Sequence, residues 1–265
     1  MSEPDQQSPS HFEHVFEPAP VGGSSATLLL LHGTGGDEHD MLPLGKQLAP
    51  GCALLSPRGR VLEGGVSRRF FRRHAEGQLD IPDLLKRTDE LAAFVAESAT
   101  GYGFDPSRVI AVGFSNGANI AVSLLFRHPA TLCAAAMLRP MLPYEPDSDL
   151  DLSGKSALIA AGARDPLVPS DQSRELARRL EQAGASVSSR VDQAAGHGLV
   201  QEDLVEVSCP RHLFERASLN TDTAHVQEQE TDPLVFGHIG VGAREEESPV
   251  SEVGRGIPDL LARHD

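Results

Sequence analysis

The stretch that decides the fold reads VIAVGFSNGANIAVSLLFR and spans residues 109–127. Its first six residues form an apolar run, which is typical of a strand buried inside a parallel sheet. Asn116–Arg127 follows with apolar residues at helical spacing, and Pro129 ends the run. Between strand and helix, residues 113–117 fit the pattern G-x-S-x-G, whose sharp turn exposes the Ser115 hydroxyl. The stretch therefore predicts a nucleophilic serine with a helix N-terminus behind it, ready to stabilise an oxyanion.

Further strands and helices alternate on both sides of this stretch. Apolar runs indicate buried strands at 26–31, 52–55, 132–138 and 157–161, and a more exposed last strand at 187–191. Helical spacing indicates helices at 83–101 and 170–183, the second with Ser170 as N-cap and Gly184 as its stop. This alternation predicts an α/β fold with a mostly parallel central sheet, helices on both faces and no large lid.

The net charge of −15 is concentrated at the two ends of the 265-residue chain. Residues 21–200 carry 20 acidic and 18 basic side chains, a net charge of −2, whereas 201–265 carry 14 acids and five arginines. We predict a flexible N-terminal segment at 1–20, a catalytic domain at 21–207 and an acidic, disordered C-terminal extension at 208–265. The lack of a net basic domain argues against nucleic acid as a partner.

Cysteine spacing and apolar runs bear on metal binding, disulfides and the cellular compartment. Three widely spaced cysteines indicate neither a disulfide framework nor a zinc site. There is no secretory pattern at the N-terminus and no apolar run long enough for a membrane span. We therefore expect a cytoplasmic protein that does not interact with membranes.

A catalytic serine needs a base, and the base needs an orienting acid. His197 follows the last predicted strand between Gly196 and Gly198, in a loop suited to presenting an imidazole. Asp165 follows the strand at 157–161, at the edge where parallel sheets place their sites. Asp171 and Asp192 are the competing acids. We predict Ser115, Asp165 and His197 as catalytic residues.

The glycine-rich loop at 32–37 follows the first buried strand. Such a loop can supply a second oxyanion amide, and we predict Thr34 for this role together with the amide of Asn116. His32 is predicted to hold the loop in place. A phosphate-binding loop is the alternative, but the chain has no G-x-x-x-x-G-K-S/T pattern here.

The basic cluster at 68–73 contains Phe70 and Phe71 between its arginines. We predict a surface loop near the pocket in which these two rings turn inward as substrate-binding residues. An arginine that meets an acidic substrate group, or a nucleic-acid contact, is the alternative. His39 has no second ligand at suitable spacing, so no metal is expected.

These motifs, in this order, resemble the α/β-hydrolase superfamily and, more narrowly, the phospholipase/carboxylesterase family. Within that family the chain is similar to the branch associated with methylhydroquinone and quinone resistance. The likeness covers residues 12–207 and rests on five segments: LHGTGGDE at 31–38, SPRG at 56–59, FFRR at 70–73 with Glu76, Gly77 and Asp80, GFSNGAN at 113–119 and GHG at 196–198.

The resemblance implies an esterase without cofactor, with Ser115, Asp165 and His197 as triad and Thr34 and Asn116 at the oxyanion hole. It implies a small-molecule ester as substrate and allows a homodimer. The chain departs from the family at Cys209-Pro210, where a closing helix is usual.

Several alternative functions remain. A thioesterase or lysophospholipase would use the same catalytic groups. A ring opener similar to dienelactone hydrolase would share the fold but use a cysteine nucleophile, and Ser115 counts against it. A non-catalytic binding protein on the hydrolase scaffold would be expected to lack one triad member.

Overall fold

The computed structural model describes residues 11–200 and 202–203. By their contacts, the described residues all belong to one compact unit. The first ten residues and the predicted extension at 208–265 lie outside the described residues, so the predictions made for them stay predictions.

The described residues contain eleven strands and four α-helices. The strands are β1 (His14–Glu17), β2 (Thr27–Leu31), β3 (Ala53–Pro57), β4 (Val61–Glu63), β5 (Ser67–Arg69), β6 (Arg73–Ala75), β7 (Gln78–Leu79), β8 (Val109–Phe114), β9 (Ala134–Leu138), β10 (Ser156–Gly162) and β11 (Ser186–Asp192). The helices are α1 (Leu42–Leu48), α2 (Ile81–Tyr102), α3 (Asn116–Arg127) and α4 (Ser170–Gln182).

Seven strands form the central sheet in the order β1-β3-β2-β8-β9-β10-β11. All neighbours pair in parallel except β1, which runs antiparallel to β3. Alternate residues of the fully buried β2 point to opposite faces, where they join two separate core clusters. Apolar residues of α2, α3 and α4 complete one cluster and those of α1 complete the other. The predicted α/β-hydrolase architecture with helices on both faces is confirmed, and the described residues contain no inserted lid.

The N-terminal prediction is wrong for the part of it that the structure describes. Residues 14–17 lie in the predicted flexible segment but form the edge strand β1, with Val15 opposite Ser56. The Phe12 side chain is 2% exposed in the core, and the Phe16 ring stacks on Tyr102 at 4.0 Å. Pairing with β3 and these aromatic contacts order a segment that has no strong local signal of its own.

Smaller differences concern helix and loop boundaries. Ser170 is the first residue of α4 rather than its N-cap, which is Pro169, and no side chain caps this helix. Helix α1 and the small hairpins β4–β5 and β6–β7 are too short for periodicity to reveal them. No helix among the described residues has the length and apolarity needed to cross a bilayer.

Candidate active site

Ser115 occupies the sharp turn between β8 and α3. Its backbone has φ 51° and ψ −111°, a strained conformation that residues other than glycine rarely adopt. The amide of Ser115 donates to the carbonyl of Leu138 at 2.9 Å, which ties the turn to the neighbouring strand β9. The surrounding structure therefore holds the strained turn with its side chain at the edge of the sheet.

The glycines that flank Ser115 are required by close backbone approach. A Cβ on Gly117 would lie 2.0 Å from the carbonyl oxygen of Leu31, and one on Gly113 would lie 2.5 Å from that of Gly117. The end of β2 is thereby packed directly against the start of α3. This contact brings the glycine-rich loop at 32–37 beside the serine.

A hydrogen-bonded chain joins the three predicted catalytic residues. The Oγ of Ser115 lies 2.9 Å from Nε2 of His197, and Nδ1 of the same ring lies 2.8 Å from Oδ2 of Asp165. The three residues follow β8, β11 and β10, whose carboxyl ends meet at one edge of the parallel sheet. Because β8 and β10 both pair with β9, residues 32 to 82 positions apart in sequence become neighbours.

The Asp165 carboxylate is buried and held by its own loop. Its Oδ1 accepts hydrogen bonds from the amides of Leu167 and Val168 at 2.8 and 2.9 Å, which leaves Oδ2 for His197. Burial raises the pKa of Asp165, but the hydrogen bonds from His197 and from the two amides outweigh it and bring the pKa below its ordinary value. The group therefore stays ionised and can orient the imidazole.

The two competing acids occupy other positions. Asp192 uses Oδ1 to accept from the amides of Ala194 and Ala195 at 2.8 and 3.0 Å, which shapes the turn before the histidine loop. Asp171 is exposed in the first turn of α4. The geometry thus brings Asp165, and neither competitor, to His197.

His32 holds the glycine-rich loop, as predicted. Its Nδ1 lies 2.6 Å from the carbonyl of Gly33, and its Nε2 accepts from the amide of Gly59 at 2.9 Å. Burial lowers the pKa of His32, although the Gly33 carbonyl opposes this effect. The ring is therefore neutral, carries its proton on Nδ1 and fixes the start of the loop.

Thr34 and Asn116 are held by contacts from the basic cluster. Arg69, only 3% exposed, donates from one NH group to Oγ1 of Thr34 at 2.8 Å and from Nε to the carbonyl of Phe71 at 3.1 Å. The Asn116 side chain accepts from the amide of Phe70 at 2.7 Å. Since Asn116 is the first residue of α3, its own amide is one of those that a helix leaves without an internal partner.

Phe70 and Phe71 contact Asn116 and Arg69 through their backbone groups, whereas their rings lie in the core. The rings are 1% and 0% exposed in the core, and Phe70 packs on His32 with ring centroids 4.7 Å apart. Sequence reasoning placed them inward, as observed. Their predicted contact with substrate stays a prediction, and the structure gives these rings a supporting role.

Three acidic and imidazole side chains beside the glycine-rich loop could suggest a metal. Asp37, Glu38 and His39 bring ligand-type atoms within 4.8 Å of one another. However, both carboxylate oxygens of the buried Glu38 accept from Arg58, which also pairs with Glu13. Glu38, the buried member of the group, is therefore already paired with an arginine, and the absence of a metal stays a prediction.

Sequence reasoning missed three buried charged residues around the site: Arg69, Arg139 and Asp203. Arg69 belongs to the basic cluster, but nothing in that cluster distinguishes the arginine that turns inward. Arg139 does carry a signal, because it follows directly on the apolar run at 132–138, at the sheet edge that holds the site. Asp203 lies six residues after His197 and has no comparable mark.

Comparisons with known proteins show that the chain is similar to hydrolases. Residues 62–210 match the model of the dienelactone hydrolase family. The protein MhqD of Bacillus subtilis (strain 168) is 47% identical over 191 residues, which cover 72% of this chain and 93% of that protein.

Solved structures show the same relationship. A Bacillus cereus carboxylesterase superposes with a TM-score of 0.70 at 43% identity, covering 77% of this chain and 93% of that one. A Mesorhizobium loti carboxylesterase has a TM-score of 0.66 at 34% identity, covering 71% and 88% of the two chains. The resemblance inferred from the motifs is confirmed, as is the prediction that the protein is a hydrolase. The chain belongs to the dienelactone hydrolase family, within the α/β-hydrolase fold.

Proposed function

We propose that this protein hydrolyses small carboxylic esters through a covalent acyl-enzyme formed on Ser115. The observation that carries the proposal is the hydrogen-bonded chain from Ser115 Oγ through His197 to Asp165, with distances of 2.9 and 2.8 Å. Serine is a weak nucleophile until an adjacent base can take its proton, and this chain supplies such a base together with an acid to orient it. The carboxylesterases among the structural relatives support the same reaction class.

In the first step, the hydroxyl oxygen of Ser115 attacks the ester carbonyl while Nε2 of His197 takes the hydroxyl proton. Asp165 keeps the other ring nitrogen protonated and stabilises the imidazolium that forms. When the tetrahedral intermediate collapses, the bond to the alkoxy group breaks and His197 passes the proton to the departing alcohol. The acyl group is then esterified to Ser115.

The amides of Thr34 and Asn116 are proposed to stabilise the negative oxygen of the tetrahedral intermediate. Support comes from the fixed position of both residues: Thr34 is held by Arg69, and Asn116 begins α3 at the elbow. Losing one donor of this kind typically costs about 3 kcal/mol of transition-state stabilisation.

In the second step, His197 takes a proton from water as the water oxygen attacks the acyl carbonyl. Collapse of the second intermediate breaks the bond to Ser115, which recovers its proton from His197. The products are a carboxylic acid and an alcohol, and the enzyme returns to its starting state.

Small soluble esters are the proposed substrate class, since the described residues contain no lid over the serine. The initial test compares hydrolysis of p-nitrophenyl acetate, butyrate and octanoate by wild type and by Ser115→Ala. We expect turnover of the short esters by wild type and none by the variant. Labelling by a fluorophosphonate probe that is lost in Ser115→Ala would identify the nucleophile directly.

Two outcomes of this test would change the proposal in different ways. A folded wild-type protein that neither reacts with the probe nor turns over any of the three esters would overturn the proposal and favour a binding role. Preference for thioesters or lysophospholipids in a wider panel would keep the mechanism and replace the substrate class.

A further inference from the structure

Arg139 is buried at the carboxyl end of β9, directly beneath the histidine loop. Its residue exposure is 0%, and its backbone has φ 57°, a conformation that favours glycine. The Arg139 amide donates to the carbonyl of Ala160 at 2.8 Å, which ties this strained residue to β10. Backbone strain and the complete burial of a cation both cost folding free energy, so the hydrogen bonds of this side chain must offset that cost.

The guanidinium group is bonded to the backbone on both sides of His197. Its Nε donates to the carbonyl of Gly196 at 3.0 Å, and one terminal nitrogen donates to the carbonyl of Gly198 at 3.0 Å. The other terminal nitrogen lies 3.2 Å from the carbonyl of Ala160. One side chain thus connects the carbonyls of the two glycines that flank His197 to the central sheet.

Asp203 holds the guanidinium in this position. Its two carboxylate oxygens lie 3.0 and 2.8 Å from the two terminal nitrogens of Arg139, a bidentate pair. The oxygen at 2.8 Å also accepts from the amide of Val200 at 2.8 Å. Asp203 is 3% exposed, so the pair neutralises its charges inside the protein and also closes the loop that carries His197.

The loop needs such support because its own sequence provides little stiffness. Gly196 and Gly198 both have ordinary negative φ, and a Cβ on Gly198 would meet nothing within 4 Å. Neither residue is glycine because of a close approach or a left-handed turn, so both leave the backbone freedom that glycine brings. The position of the imidazole therefore depends on bonds from outside the loop.

We infer that Arg139 and Asp203 act as a positioning pair, which holds the peptides on either side of His197 and thereby fixes the imidazole between Ser115 and Asp165. This inference rests on the proposed function, since it concerns the base of that reaction. A buried ion pair by itself is weak evidence for a contribution to stability. Here the pair donates two hydrogen bonds to the loop that carries the proposed general base. A small displacement of such a group can lower the reaction rate strongly.

The test compares Arg139→Met, Arg139→Lys and Asp203→Asn with wild type and with a control variant, Leu180→Ala. Leu180 is fully buried in α4 and belongs to the core cluster, so its truncation destabilises the protein without touching the loop. The melting temperature of each protein is measured first. Then kcat and KM for p-nitrophenyl acetate and the fluorophosphonate labelling rate are measured well below that temperature.

The positioning role predicts that kcat and the labelling rate fall together by about tenfold to a hundredfold in Arg139→Met and Asp203→Asn, with KM almost unchanged. Arg139→Lys keeps the charge but reaches fewer partners, so it should lie between Arg139→Met and wild type. Leu180→Ala should lose melting temperature and keep wild-type kcat.

Two results would overturn the inference. One is wild-type kcat in the Asp203→Asn and Arg139→Lys variants, which also decide the question if Arg139→Met does not fold. The other is a loss of kcat in Leu180→Ala as large as that in the pair variants at equal melting temperature, which would leave only a structural role. If wild type itself shows neither ester turnover nor labelling, the proposed function fails and not the pairing.

Discussion

At the scale of single residues, the site depends on a few side chains whose surroundings leave them one arrangement. Ser115 is held at positive φ, and the buried Asp165 has one oxygen committed to its own loop and the other to His197. Such preorganisation means that the reacting groups need not be ordered again at each turnover.

Replacing Asp165 by asparagine should lower kcat by roughly 10⁴-fold, the loss typical of this change in a serine triad. Asparagine keeps the shape of the side chain but cannot hold the imidazole in the same tautomer or stabilise the imidazolium. The measurement is kcat for p-nitrophenyl acetate, with Asp171→Asn as the matched exposed control. Activity within tenfold of wild type in Asp165→Asn would remove this residue from the triad.

At the scale of secondary-structure elements, the turn between β8 and α3 leaves no room for a side chain at Gly117. The carbonyl oxygens of Leu31 and His32 lie where a side chain on Gly117 would begin. Gly101 offers a contrast, since it is exposed near the end of α2, and a Cβ there would meet nothing within 4 Å.

The two glycines should therefore respond to alanine in opposite directions. Gly117→Ala is expected to cost about 2–3 kcal/mol of unfolding free energy through overpacking and to reduce ester hydrolysis as the elbow shifts. Gly101→Ala should gain about 0.5–1 kcal/mol, because alanine favours the helix and restricts the unfolded chain. Urea unfolding of both variants checks the contrast, and equal effects would contradict it.

At the scale of the whole molecule, folding buries a neutral histidine and an ionised carboxylate. The pKa of each group differs between the folded and the unfolded chain. Burial lowers the pKa of His32 below its ordinary value of 6.5. The pKa of Asp165 is also lowered, because its hydrogen bonds outweigh the opposing effect of burial. In both cases the unfolded state binds protons at a higher pH than the folded state does, so stability falls as pH decreases.

The free energy of unfolding should consequently fall in two stages on acidification. The first stage begins as pH drops below about 6.5, where unfolded His32 takes up a proton that the folded protein excludes. The second begins near pH 4, where the stabilisation from ionised Asp165 and from other carboxylates with a lowered pKa, such as Glu38 and Asp89, is lost progressively as pH falls through their folded pKa. Urea unfolding at intervals between pH 8 and 3 would record both stages.

The variant His32→Gln tests the assignment of the first stage. Its side-chain amide can still donate and accept hydrogen bonds, but it does not titrate. This variant should be less stable at pH 8 and should show a smaller loss between pH 7 and 5. Equal losses in wild type and variant over that interval would show that His32 is not responsible.

The sequence by itself determined the central strand–turn–helix at 109–127, the long helix near 83–101 and the glycine loop at 32–37. These features are local, since apolar periodicity and turn chemistry act within a few residues. The order of the motifs was also sufficient to predict Ser115, His197 and Asp165, and these are the groups that the fold brings together.

The tertiary structure alone decided which charged residues support those groups. Nothing in the sequence distinguishes Arg69 within its cluster, and the place of Arg139 after an apolar run does not reveal its partners. Only the folded sheet buries them beside Thr34 and the His197 loop. The edge strand β1 likewise exists because β3 offers it hydrogen bonds. Such contacts join residues far apart in the chain, and their energies depend on burial and geometry that arise only when the sheet has formed.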